Sequence, residues 1–218
     1  MIKIAILVSG NGTNLQSIIN AVEAGAIDAK IAVVISNNPN AFALERAVSH
    51  NIPTEVLPNS VCPSREEYDQ KVIDILKSRN VELIVLAGFM RIITATLINA
   101  FPVGIMNIHP ALLPAFPGLN VQKKAIEHGV KFSGATVHFV DEGVDTGPII
   151  IQAVVPVHDD DTEETLAVRI LKEEHRIYPQ AIQFFAEGKL EIDGRRVIIK
   201  DSRPPEEAIE NPEVTIVK

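Results

Sequence analysis

Cysteine is nearly absent. Cys62 is the only one in 218 residues, so an intramolecular disulfide is impossible and a cysteine-rich metal site is not expected. A reducing, cytoplasmic setting fits that usage. Basic runs are missing too: 28 acidic side chains against 20 basic ones give a formal charge of −8, which argues against a nucleic-acid or anionic-membrane surface. No apolar stretch reaches the roughly 18 residues that a membrane-spanning helix needs. The N-terminus has no basic n-region and no small-residue cleavage site, so its apolar run Ile2–Val8 reads as a strand and not as a signal. Internal repeats and domain linkers are also lacking. What remains is 46% hydrophobic and 22% charged, a balance expected of one soluble domain with a sizeable core.

Short β-branched runs alternate with longer amphipathic ones, the pattern of a parallel sheet covered by helices on both faces. Strands are expected at residues 3–9, 29–36, 53–57, 81–88, 101–109, 133–140 and 149–157, and helices at 14–25, 41–50 and 65–79. The first helix places Leu15, Ile18, Ile19 and Val22 on one face. A long helix should start after Thr162, with Glu163 and Glu164 in its first turn, and break or kink near Tyr178-Pro179. Asp193-Gly194, between the alternating runs of 189–199, predicts a hairpin with a type I′ turn. Residues 1–200 thus read as a single domain. The stretch 201–218, acidic and proline-containing, reads as surface-laid or partly disordered.

Three segments carry chemistry. "SGNGTNL" (Ser9 to Leu15) joins the first strand to the first helix, where glycines and free helix-terminal amides attract an anion such as phosphate. It is not a dinucleotide fingerprint: Leu15 occupies the third glycine position, no acid ends the second strand, and no Walker lysine follows. The bland reading is a turn at Gly12 with Asn14 as a helix cap. "NIHPALLPAFPG" (Asn107 to Gly118) sets Asn107 and His109 two apart on a strand, so both face one side. Such a pair suits acyl transfer, as donors to a developing oxyanion; the bland reading is a half-buried His and a turn-forming Asn. Pro110, Pro114 and Pro117 make the following loop rigid and irregular. "VHFVDEGVDTGP" (Val137 to Pro148) ends a strand at His138 and offers Asp141, Glu142 and Asp145 as proton acceptors, unless it is an ordinary acidic turn. A metal site is disfavoured, since the helix-borne His pair or Cys pair of a zinc site is missing.

In order and spacing, "SGNGTNL", "LAGFMRI", "NIHPALLPAFPG", "SGATVHFV", "DEGVDTGPII" and "EEHRIYP" resemble the glycinamide ribonucleotide formyltransferases, a folate-dependent family of purine synthesis. The resemblance runs from about residue 2 to 200. It implies a Rossmann-like, mostly parallel twisted sheet with helices on both faces, ending in a long helix and a hairpin. It also implies transfer of the formyl group of 10-formyltetrahydrofolate to the amino group of glycinamide ribonucleotide, with no metal, in a monomer or a homodimer. By family pattern, Asn107, His109 and Asp145 are catalytic, and His138 is a supporting orienter. Gly12, Thr13, Asn14 and Glu174 meet the ribonucleotide. Arg65, Met90, Arg91, Ile92, Ile93, Asn107, Asp141 and Asp145 meet the folate, Arg65 at its glutamate tail.

The Asn-x-His pair with a downstream Asp is shared by the wider group of formyltetrahydrofolate hydrolases and transferases, so it specifies the chemistry better than the acceptor. Relatives that formylate methionyl-tRNA carry an extra C-terminal domain and the deformylases an extra N-terminal one, and neither is expected here. Two alternatives stay open: a hydrolase of the same folate donor, and a non-catalytic binding module for a phosphorylated nucleotide, which has no need of Asn107, His109 and Asp145 together.

Overall fold

The computed structural model describes residues 1–203, 206, 209 and 211. Strands β1 (Ile2–Val8), β2 (Ala29–Ser36), β3 (Thr54–Val56), β4 (Leu83–Leu86) and β5 (Ile105–His109) alternate with helices α1 (Thr13–Glu23), α2 (Phe42–Ser49), α3 (Arg65–Ser78) and α4 (Ala95–Ala100). Then come α5 (Val121–Glu127), β6 (Phe132–Phe139), β7 (Ile149–Pro156), the long α6 (Glu163–Ala186), and the hairpin β8 (Leu190–Asp193) and β9 (Arg196–Ile199). The strands form one sheet in the order β3-β2-β1-β4-β5-β6-β7-β9-β8. Pairing is parallel from β3 to β5, antiparallel through β6 and β7, and parallel again from β7 to β9. This is an α/β, mostly parallel sheet with helices on both faces.

Strand alternation creates two cores. Ile4, Ile6 and Val8 of β1 meet Leu15, Ile18 and Ile19 of α1 and Tyr178, Ala181 and Ile182 of α6. Ala5 and Leu7 point the other way, against Tyr68, Val72, Ile73 and Leu76 of α3 and Leu97 of α4. Each large aliphatic side chain so buried contributes roughly 1.5–3 kcal/mol of transfer free energy, and both faces of β1 share in it. That is why β1 reads as a continuous apolar run.

Several expectations are corrected. Helix α6 runs through Pro179 to Ala186 without a break. Proline removes one backbone donor, but Ile177, Tyr178, Ala181 and Ile182 are all buried around it, and their packing keeps the helix continuous. The hairpin forms, yet its central residues are Gly194 and Arg195, and only Gly194 has positive φ (59°). That suits a turn with glycine at its first central position, not type I′, which needs positive φ at both. The strand expected at 101–109 begins only at Ile105, because Ala95–Ala100 is helical and Val103 turns the chain at φ 59°. The Leu113–Pro114 bond, whose isomer the sequence leaves open, is cis. Most of the acidic tail 201–218 lies outside the described residues.

Candidate active site

From β1 the chain steps outward to β2 and β3, then returns across β1 to β4 and β5. In such sheets ligands bind beyond the carboxyl ends of the strands where the direction reverses. Here that point lies between the loop after β1 and the loop after β4, where the Ser9 amide donates to the Gly88 carbonyl at 3.1 Å. Next to it opens a crevice of about 660 Å³. Met90 to Ile93 form one wall, Asn107 and His109 the floor, and the segment Val140 to Asp145 the other wall.

Asp145 is the electrostatic centre. Its Oδ2 accepts from the Gly118 amide at 2.9 Å and lies 3.3 Å from His109 Nδ1; its Oδ1 lies 3.7 Å from His138 Nε2 and 3.5 Å from Asn107 Nδ2. Burial alone would raise its pKa. The nearby His138 imidazole, the Gly118 amide hydrogen bond and the His109 imidazole outweigh burial and hold it below the ordinary carboxylate value. Its backbone is left-handed at φ 56°, a conformation that Asp adopts more readily than most residues. The Gly118 bond ties this strained corner to the proline-rich loop.

His109 is buried at the end of β5, and its Nε2 donates to the Phe116 carbonyl at 2.9 Å. Each ring nitrogen therefore faces an acceptor, which the ring satisfies fully when both carry protons. Asn107 Nδ2 lies 3.2 Å from His138 Nε2, so His138 bridges Asn107 and Asp145 from below. Asp141 borders the crevice but organises its own loop, accepting from Thr146 Oγ1 at 2.6 Å and the Gly143 amide at 3.1 Å.

The Met90–Ile93 wall is clamped at both ends. The Met90 amide donates to Ser9 Oγ at 2.8 Å, and buried Asp69 of α3 accepts from the Thr94 amide at 2.6 Å and from Thr94 Oγ1 at 2.8 Å. Between them the Arg91 guanidinium lies over the Tyr68 ring, 3.7 Å from its centroid, and donates to Asn59 Oδ1. Burial, opposed by Arg91, pushes the Tyr68 hydroxyl up to about 12. Met90 and Ile92 remain exposed, presenting apolar surface to whatever enters. Arg65 is exposed at the first position of α3, outside the crevice lining.

The glycine loop lies across the switch point. Gly12, at φ 77°, is the N-terminal cap of α1, with no side chain satisfying the first-turn amides. Asn14 is therefore not the cap: its Nδ2 donates to Glu174 Oε2 at 2.7 Å. Burial raises the Glu174 pKa, and the bond from Asn14 partly opposes it. Thr13 borders a second cavity of about 600 Å³ running along α1 towards Arg46 and His175, whereas Gly12, Asn14 and Glu174 line neither cavity.

Sequence reasoning missed the Gly118 amide, the Phe116 carbonyl, and the Asp69 and Tyr68 clamps on the Met90–Ile93 wall. The first two act through the backbone and leave no trace in residue type. Among the described residues, no group of three or more His, Cys, Asp or Glu is placed to hold a metal ion, and no helix is long and apolar enough to cross a membrane.

A doubly wound sheet whose switch-point crevice gathers an Asn-x-His pair and a low-pKa aspartate defines an enzyme of the acyl-transfer class. The family model described as formyl transferase matches residues 2–182, and the chain belongs to that family. A phosphoribosylglycinamide formyltransferase from Haemophilus influenzae is 47% identical, over 88% of this chain and 91% of the relative. The structure of glycinamide ribonucleotide transformylase 1 from Symbiobacterium toebii superposes with a TM-score of 0.91 at 52% identity, covering 92% of this chain and 95% of that one. The trifunctional purine biosynthetic protein adenosine-3 of Drosophila melanogaster is 48% identical over 85% of this chain, which spans 14% of that much longer relative.

Proposed function

We propose that the protein transfers the formyl group of 10-formyltetrahydrofolate to the amino group of glycinamide ribonucleotide, giving the formylated nucleotide and tetrahydrofolate. Residues 1–200 are the catalytic unit. One observation carries the reading: Asn107, His109 and Asp145 converge on a single crevice whose facing wall, Met90 to Ile93, is apolar and rigidly clamped. A flat pterin suits that wall, and Arg65 at the outer end of α3 suits a glutamate tail.

In the reaction the amine attacks the formyl carbon, negative charge collects on the formyl oxygen, and the nitrogen's proton passes to the departing folate nitrogen. Asn107 Nδ2 meets His138 Nε2 at 3.2 Å and Asp145 Oδ1 only at a long 3.5 Å, so the hydrogen facing Asp145 is the one it exchanges for the oxyanion. His109, carrying both protons, is the second donor when the incoming oxygen replaces one of its two acceptors. Asp145 orients His109 through the 3.3 Å contact with its Nδ1 and relays the amine proton, directly or through water. At the other end, the first-turn amides of α1 take the ribonucleotide phosphate, and Glu174 with Asn14 meets the ribose or the amine.

The test follows folate release from a 10-formyl donor by absorbance, with and without glycinamide ribonucleotide. Amine-dependent release, with formyl recovered on the nucleotide, is the expected result. Release without amine indicates a hydrolase, and no release a binding module. Asn107→Ala or His109→Ala should lower kcat by roughly a hundredfold or more; near-full turnover in either refutes the role given to it.

A further inference from the structure

Arg46 lies on α2, a helix that supplies none of the residues assigned so far. Its side chain reaches back to the glycine loop: Nε donates to the Asn11 carbonyl at 2.9 Å, Nη2 to Asn11 Oδ1 at 2.9 Å, and Nη1 to Gln16 Oε1 at 3.3 Å. The guanidinium also lies over the Phe42 ring, 4.8 Å from its centroid. A planar fork is needed to hold both oxygens of Asn11 at once, and lysine has none.

The acceptors are themselves fixed. Gln16 directs one amide hydrogen to Asn20 Oδ1 at 2.9 Å and the other towards His50 Nε2 at 3.2 Å, so its oxygen is committed to Arg46. His50 Nδ1 in turn meets Glu23 Oε1 at 2.7 Å. This chain of contacts ends on Asn11, immediately before Gly12. A second tie runs from the Ala43 amide of α2 to the Gly10 carbonyl at 3.1 Å.

Charge is the second observation. Every acceptor that Arg46 meets is neutral, and no carboxylate among the described residues pairs with it. In a chain of net charge −8, a guanidinium without a counter-ion, beside uncapped helix amides, is poised for an anion. It also borders the 600 Å³ cavity that Thr13 lines, so the space before it is open.

We propose that Arg46 makes this enzyme selective for a phosphomonoester acceptor. It holds the backbone of the Gly10–Asn14 loop in its anion-binding shape through Asn11, and it adds a full positive charge to the partial charges of the α1 terminus. Arg46 is a positioning residue: the loop amides touch the phosphate and Arg46 sets where they stand. The inference rests on the transferase reading above, and it names what that reading leaves open, the source of the preference for a phosphorylated amine.

The experiment compares kcat/KM for glycinamide ribonucleotide with that for its dephosphorylated riboside, in the wild type, R46M and R46K. R46M should lower kcat/KM for the nucleotide about tenfold, mainly through KM, leave the riboside within about twofold, and leave the folate KM unchanged. R46K, which keeps the charge but loses the fork, should fall between. Equal losses on both acceptors mean a merely structural role and overturn the proposal, as does an unchanged ratio. If thermal melts show that R46M does not fold, the ratio is read on R46K, where no change overturns it. A wild type that releases no folate with the amine overturns the transferase reading and this proposal together, whereas an active wild type with an unaltered R46M ratio overturns this one alone.

Discussion

Replacing Gly12 with alanine should cost stability for two separable reasons. The residue sits at φ 77°, where a Cβ costs about 1–2 kcal/mol through its clash with the following carbonyl. The new methyl would also lie 2.6 Å from Ala43 Cβ and 2.9 Å from Ala43 Cα, about 1 Å inside the ordinary 3.5–4.0 Å contact. Ala43 cannot yield easily, since it is fully buried and its amide is bonded to the Gly10 carbonyl. Overpacking of this kind costs about 1–3 kcal/mol. The sum, about 2–5 kcal/mol, corresponds to a fall of about 4–20 °C in Tm for a domain of this size. Equilibrium urea unfolding and thermal melts by circular dichroism measure it. Gly10→Ala is the control: nothing lies within 4 Å of its Cβ position, so it should stay within about 0.5 kcal/mol of the wild type. Gly12→Asn tolerates the left-handed backbone better and should keep only the overpacking part. A loss below about 1 kcal/mol in G12A, or an equal loss in G10A, refutes the packing argument.

Two further predictions concern carboxylates, one half-buried and one buried. The Asp145 carboxyl is held below the ordinary carboxylate value in the folded state, so its stabilisation is present above the unfolded pKa and lost as pH falls through the folded one. D145N should lose about 1–3 kcal/mol at pH 7 and show a shallower acid limb below about pH 4 in urea midpoints taken against pH; acid limbs parallel to the wild type refute the pairing. Glu174 is the opposite case. Its pKa is raised by burial, so the folded state is progressively disfavoured as pH rises through that value. E174Q should melt higher than the wild type at pH 7, with the advantage shrinking towards acid pH, while KM for the ribonucleotide increases; a lower Tm at pH 7 would show that the charge stabilises the fold.

The sheet was legible because β1, β2 and β4 are buried on both faces, and such strands read as unbroken apolar runs. Asn107 and His109 were legible as a pair for the same geometric reason, since two residues along a strand share a face. The α4 and α5 elements were not, being only 6 and 7 residues long, too short to show a period. Pro179 misled because the local cost of proline is visible in sequence and the tertiary packing that outweighs it is not. Asn14 was weighed as a cap because its type favours that role; its actual partner, Glu174, is 160 residues away. Arg46 carried no sequence signal at all. Its role arises from acceptors on Asn11 and Gln16 that the fold alone brings within reach.

Helix α6 joins the two halves of the site. Glu174 meets Asn14 behind the glycine loop, and one turn later the fully buried Tyr178 hydroxyl lies 2.9 Å from the Leu86 carbonyl and 3.0 Å from the Met106 carbonyl. Leu86 ends β4 just before the Met90–Ile93 wall, and Met106 precedes Asn107. A single hydroxyl proton serves those two carbonyls, so the contact fixes the spacing of β4 and β5 more than it adds energy, about 1 kcal/mol for one such bond. On the reading proposed above, the ribonucleotide end and the formyl end are thus registered by the single turn of helix from Glu174 to Tyr178. Transfer requires the amine to reach the formyl carbon within about 3–3.5 Å, and loops alone hold no such tolerance across a switch point. A 24-residue helix anchored in the larger core does, and the burial of Ile177, Tyr178, Ala181 and Ile182 that carries it through Pro179 also holds the Glu174–Tyr178 turn in place.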